Sequence, residues 1–282
     1  MDTLRMVKRI FNGFASHDGA GVKLFRVIGY YGYDRDLDPF LLLDSFDSTY
    51  PNDYIKGFPF HPHRGMQTIT YLVSGKIEHE DSLGNKGTIN DGDAQYMTSG
   101  SGIIHQEMPK PSPHMLGVQV WVNLPAKDKM CEPQYGNIEA KDVPLIKEEG
   151  KEIRIISGSY LQYKSPFQAQ YVPTNILDIT LESKATFNYS SARDTTLFIY
   201  LFSGSLSFEN QKQKAKEKDA ILFTLGDKIT VNAEEKGARF LLFEGKPLRE
   251  QVAWYGPIVM NTRQELELAF DELDKGTFIK SK

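Results

Sequence analysis

The reading turns on HPHRGMQTITYLVSG (His61–Gly75) and the later GSGIIHQEMP (Gly100–Pro109). Each holds a pair of potential metal ligands separated by one residue, His61 with His63 and His105 with Glu107. In a β-strand alternate side chains leave the same face, so residues i and i+2 point the same way about 6.6 Å apart. Two such strands can aim four donors into one space. Between the pairs, Thr68–Val73 is β-branched and aromatic as strands are, while Leu83–Gly87 and Asn90–Asp93 carry turn residues. A compact β-meander would bring the two ends together.

A single His-x-His is an ordinary polar face of a strand, but two i,i+2 pairs are a sharper signal. Of six histidines in the chain, three fall at these spacings. Three neutral imidazoles and a carboxylate suit a divalent transition metal such as iron, nickel, copper, manganese or zinc. Calcium and magnesium take mainly oxygen ligands and fit poorly.

DPFLLLDSF (Asp38–Phe46), FPFHPHRG (Phe58–Gly65), IEHEDSLGNKG (Ile77–Gly87), HQEMP (His105–Pro109) and GPIVMNT (Gly256–Thr262) together resemble the pirin family. The likeness is densest up to about Leu124 and returns at the C-terminal helix. It implies an all-β bicupin, two tandem jelly-roll barrels with a short C-terminal helix. It also implies one metal, usually iron as Fe2+, on His61, His63, His105 and Glu107. Gln67 departs from the pattern, standing where much of the family has a glutamate that binds metal in other cupins. The resemblance implies two activities. Some pirins open the flavonol quercetin with O2, in which case Glu107 would be both ligand and the base taking the 3-hydroxyl proton. Others are redox-sensitive regulators that bind a partner protein through a metal-dependent surface. A vestigial cupin whose metal only stabilises the fold is a third reading.

With 282 residues and 40% hydrophobic content, the chain can fill two cores. The expected division is 1–130 for the metal-binding barrel and 131–282 for the second, which ends in a helix at about 262–275. A net charge of −4 implies no general attraction to nucleic acid. No apolar run approaches a membrane span, the first residues lack a secretory core, and Cys131 stands alone, so a cytoplasmic protein is expected.

Along the chain, Val22–Tyr33 and Val118–Pro125 read as strands, and Leu41–Asp44 as packing against the first barrel. Pro62 lacks a ladder N–H, so its strand belongs at an edge, a strand start or a bulge, which places the ligands near a rim. Gly100, Ser101 and Gly102 permit a bend before the second pair. His79 and Asp81 repeat the i,i+2 spacing and read as rim or supporting groups. His17 reads as a loop histidine and His114 as a surface one. Lys127–Gly150 reads as a connection with short strands possible inside it.

Thr70–Asp81 echoes Ile199–Asn210, and Gly92–Gly100 echoes Lys218–Gly226, which argues for two copies of one barrel. Shifting the ligands by the matching offsets lands on Ser190, Ala192, Val231 and Ala233, and no histidine follows His114. The second copy is expected to be a scaffold filled by apolar side chains around Leu201, Phe223 and Leu242. Lys212–Lys218 reads as a solvated hairpin tip. In the tail, Thr262 with Glu265 makes a capping box, Leu266, Phe270 and Leu273 share a face, and Gly276 supplies a stop.

Overall fold

The computed structural model describes residues 3–29 and 32–280. The chain forms two compact β units that interleave in sequence: 14–35, 40–140 and 248–282 make one, and 1–13, 36–39 and 141–247 the other. The termini therefore do not follow a division at residue 130. Backbone pairing decides this, because Val7–Asn12 forms an antiparallel ladder with Asp219–Phe223 of the second unit. Arg5, almost fully buried, donates from Nε to Gly226 O (2.9 Å) and from Nη1 to Thr195 O (2.9 Å). A buried guanidinium needs such acceptors, and all of those it has among the described residues lie in this unit.

The first unit packs a seven-stranded sheet with a four-stranded one. The larger runs in the order 134–138, 94–98, 66–74, 115–123, 40–48, 22–28 and 14–18. The smaller runs in the order Phe58–His63, Ile103–Pro109, Ile77–Asp81 and Lys86–Ile89. Phe58–His63 is thus an edge strand, where Pro62 is tolerated because no neighbour asks for its missing N–H. The run beginning at Val22 is a strand to Ile28, and Tyr30 and Tyr31 lie outside the described residues. Leu41–Asp44 is part of a nine-residue barrel strand, Phe40–Ser48, and not a segment laid against it. His17, expected in a loop, sits exposed on the strand Phe14–Asp18.

The tail closes this unit. Helix Arg263–Asp274 starts at Thr262, whose side chain accepts from Glu265 N while the Glu265 carboxylate accepts from Thr262 N. Gly276 ends it at φ +68°, a conformation open to glycine. Leu266, Phe270 and Leu273 pack with Ile258, Met260, Phe278 and Ile104. No helix among the described residues is long and apolar enough to cross a membrane.

The second unit is dominated by a nine-stranded sheet built on two long strands, Thr196–Phe208 and Lys228–Gly245, beside a two-stranded hairpin of Ser159–Tyr160 with Tyr163–Lys164. Its interior is apolar, and Leu201, Phe223 and Leu242 all belong to it. Lys214–Lys216 is a short strand paired with Ser205–Ser207, so the hairpin tip lies just before it, at Asn210 with φ +57°.

Ladder registers identify the positions equivalent to the ligands. In the first unit His61 stands opposite His105 and His63 opposite Ile103. In the second, Phe187 stands opposite Val231 and Tyr189 opposite Ile229. Phe187 and Tyr189, not Ser190 and Ala192, therefore occupy the first-pair positions. The sequence echo slips because the connection after this strand is two residues in the first unit, Arg64 and Gly65, and five in the second, 191–195. For the second pair, Val231 and Ala233 hold. All four replacements are buried in the apolar core.

Candidate metal centre

Antiparallel pairing of Phe58–His63 with Ile103–Pro109 sets His61 directly across from His105, and the period of two brings His63 to the same face. The three rings cluster, with centroids 4.5 Å apart for His61 and His105, 4.7 Å for His61 and His63, and 5.1 Å for His63 and His105. One ligand atom from each lies within 4.8 Å of the others, which fits a single ion between them. Gly100 and Gly102, at φ +46° and +136°, make the bend that delivers the second strand.

Protonation and hydrogen bonding prepare these imidazoles. His61 Nδ1 lies 2.8 Å from Pro59 O and His63 Nδ1 3.2 Å from Pro257 O. A carbonyl only accepts, so both Nδ1 atoms carry hydrogen and Nε2 is the ring atom left for a metal. Burial holds the pKa of His63 and of His105 well below the usual imidazole value, so both are neutral, as a metal ligand must be. His105 is 1% exposed, and neither ring nitrogen has a hydrogen-bond partner among the described residues. A buried imidazole with no partner is costly unless something else fills the role, and an ion at the triad would.

Glu107 is placed beside this cluster but held differently. The ladder shifts register between His105 and Glu107, so Glu107 stands opposite Phe58. Gln119 Nε2 donates to both carboxylate oxygens, at 3.1 and 3.0 Å, and Thr70 Oγ1 donates at 3.3 Å. At 3% exposure, burial pushes the Glu107 carboxyl above its ordinary range, while His61, Gln119 and Thr70 pull it down. The close grouping of donor atoms comprises the three histidines without Glu107. Gln67 lies on the opposite face of its strand from Thr70 and adds no donor.

Other expected residues have structural duties. Asp81 accepts from Leu83 N, Asn85 N and Asn85 Nδ2 and so fixes the hairpin tip. His79 stands across the ladder from Glu107, accepts from Asn137 Nδ2 at 3.3 Å and packs on Tyr135. Burial brings its pKa down to about 4, against the pull of Asp81 and Asn137. His114 is a half-exposed partner of Asp47 at 2.8 Å.

His61 and His63 of the triad border an open cavity of about 650 Å³ walled by Phe58, Phe60, Leu42, Trp121 and Trp254. Trp121 packs edge-on to His63 at 5.1 Å and lies 6.0 Å from Trp254. Gln119 and Trp121 were readable as alternate residues of the strand VQVWVN, whose inward face they share. Nothing local in the sequence points to Trp254 or to the Pro257 carbonyl.

Comparison with known proteins agrees with this architecture. Residues 21–122 match the Pirin family model, and 176–279 match the model described as the Pirin C-terminal cupin domain. Human pirin is 39% identical over 256 residues, covering 89% of this chain and 86% of its own. A crystal structure of quercetin 2,3-dioxygenase from Acinetobacter baumannii superposes with a TM-score of 0.90 at 31% identity, covering 98% of this chain and 99% of that one. The bacterial pirin YhhW of Escherichia coli, solved in complex with nickel(II), shares the fold at a TM-score of 0.65 and 20% identity, covering 85% of this chain and 99% of that one. With both cupin domains matched and the histidine triad set in the first, the chain belongs to the pirin family.

Proposed function

We propose that the protein is a metal-dependent dioxygenase that cleaves flavonol-like enols, with ferrous iron held by His61, His63 and His105 and Glu107 as a fourth ligand. The observation that carries it is a cluster of three buried-to-half-buried imidazoles, two of which, His61 and His63, line an open, aromatic-walled cavity. A closed structural site would have no such access. The structural likeness to a quercetin 2,3-dioxygenase supports the substrate class.

A bound transition metal supplies Lewis acidity toward an enolate oxygen and open positions for a substrate. The chain supplies the rest. Trp121, Trp254 and Phe58 offer flat apolar walls that hold an aromatic ring and exclude water from it. Glu107 takes the proton from the enol hydroxyl, and its raised pKa makes it a better acceptor near neutral pH than an ordinary carboxylate. Gln119 and Thr70 orient that carboxylate by donating to it.

Anaerobic loading with ferrous iron, followed by oxygen-uptake measurement with and without a flavonol, tests the reading. Uptake should require both metal and flavonol. If the loaded protein consumes no more oxygen than the metal-free protein across several flavonols, the redox-dependent binding of a partner protein takes first place.

A further inference from the structure

Opposite in character to its aromatic walls, the cavity also carries three charged side chains, Arg26, Asp44 and Asp18. Arg26 donates from Nε to Asp44 Oδ1 at 2.9 Å and from Nη2 to Asp44 Oδ2 at 2.8 Å. The same Nη2 meets Asp18 Oδ2 at 2.6 Å. Asp44 is only 5% exposed, so this two-pronged pairing is what makes its burial within the buried stretch 40–46 tolerable. The guanidinium is thereby fixed in place, and its Nη1 has no partner among the described residues. The Asp18 side chain, 51% exposed, keeps free acceptor capacity.

Charge decides what such a cluster can take. One guanidinium and two carboxylates carry a net charge of −1, so a carboxylate or phosphate ligand meets repulsion from both aspartates. A neutral group that both donates and accepts meets none. Two adjacent hydroxyls on an aromatic ring match this pattern, one donating to Asp18 and the other accepting from Arg26 Nη1.

We propose that Arg26 and Asp18, anchored by buried Asp44, form a specificity subsite for a vicinal dihydroxyphenyl group on an aromatic substrate packed against the tryptophans. The assignment rests on the flavonol reading of the same cavity and adds which flavonols it prefers. Neither residue enters the oxidative chemistry, so both are positioning residues. A site that hydrogen-bonds a hydroxyl discriminates against the analogue lacking it.

The chain has two tryptophans, and both line the cavity, so quenching of their fluorescence reports binding without turnover. The experiment titrates zinc-loaded protein under nitrogen with a flavonol bearing a catechol ring, the flavonol lacking both hydroxyls on that ring, and simple catechol against phenol. Wild type should bind each catechol about tenfold more tightly than its partner. Asp18→Asn, which leaves the Arg26–Asp44 pair intact, and the joint Arg26→Met, Asp44→Leu replacement should bring the two to within about twofold while affinity for the unsubstituted flavonol stays unchanged. Equal affinities in wild type, or a preference that survives both variants, would overturn the subsite. If neither flavonol quenches but catechol still binds more tightly than phenol, the subsite stands and the flavonol reading falls. Absence of quenching by all four probes would remove both.

Discussion

The Nδ1 of His63 lies 3.2 Å from the carbonyl oxygen of Pro257, a residue 194 positions further along the chain. The bond leaves Nε2 free for a metal, so a tail segment remote in sequence orients a ligand in the first unit. The attachment is reinforced next door. Val259 N donates to Arg64 O at 3.0 Å, and Arg64 pairs with Glu272 of the helix at 2.8 Å while lying over the Phe278 ring. The tail is therefore part of the metal site's support.

Gly65 tests this arrangement. It adopts φ +78°, and a Cβ there would sit 1.9 Å from Val259 O. Gly65→Ala should cost about 3 kcal/mol or more of stability and weaken metal binding by pushing the tail away from His63. Thermal unfolding together with metal content checks it. A variant as stable and as fully loaded as wild type would show that the tail does not brace the ligand.

Glu107→Gln separates base from ligand. Glu107 is held by Gln119 and Thr70 beside the triad, so the three histidines should retain most of the metal in the variant. Loss of the proton acceptor should lower kcat by about 10² or more. Elemental analysis and oxygen uptake on the same preparation read both effects. Loss of the metal together with activity would make the carboxylate an indispensable ligand.

Lys129 should give the fold an alkaline stabilisation. It is 2% exposed, and its Nζ donates to Gly65 O at 2.7 Å and Asn123 Oδ1 at 2.5 Å, two acceptors for the two hydrogens of a neutral amine. Burial brings its pKa down to about 7, with Glu250 and Glu265 pulling upward. An unfolded lysine titrates near ~10.4, so between those values the unfolded chain binds more protons and stability rises with pH. The slope from this residue reaches roughly 1.4 kcal/mol per pH unit. Denaturant unfolding from pH 7 to 10 should show Lys129→Met with a flatter pH dependence than wild type. Parallel curves would mean that Lys129 keeps its charge when folded.

Much of the first unit was legible because its signal is local. The i,i+2 spacing of His61 with His63 and of His105 with Glu107 is a two-residue period on paired strands, and the capping box at Thr262 is equally short-range. Pro62 confined its strand to an edge, a start or a bulge for the same reason, and the strand lies at an edge. The residues that complete the site were hidden because their roles depend on long-range pairing. Gln119 and Trp121 look like any alternating strand, Asp44 looks like a polar break in an apolar one, and Pro257 acts through its backbone. The exchange of termini escaped for a related cause, since nothing local in VKRIFN names Asp219–Phe223 as its ladder partner. The ligand-equivalent positions Phe187 and Tyr189 were missed by three residues because a longer connection, 191–195, intervenes in the second unit.

The most direct test of the account is where the metal goes. A crystal grown from protein loaded with a transition metal, measured by anomalous scattering at that metal's absorption edge, should show one peak per chain within about 2.3 Å of His61 Nε2, His63 Nε2 and one ring nitrogen of His105. The apolar interior around Phe187 and Val231 should show none. A second peak in that interior, or a chain whose histidine triad stays empty under saturating metal, would contradict the account.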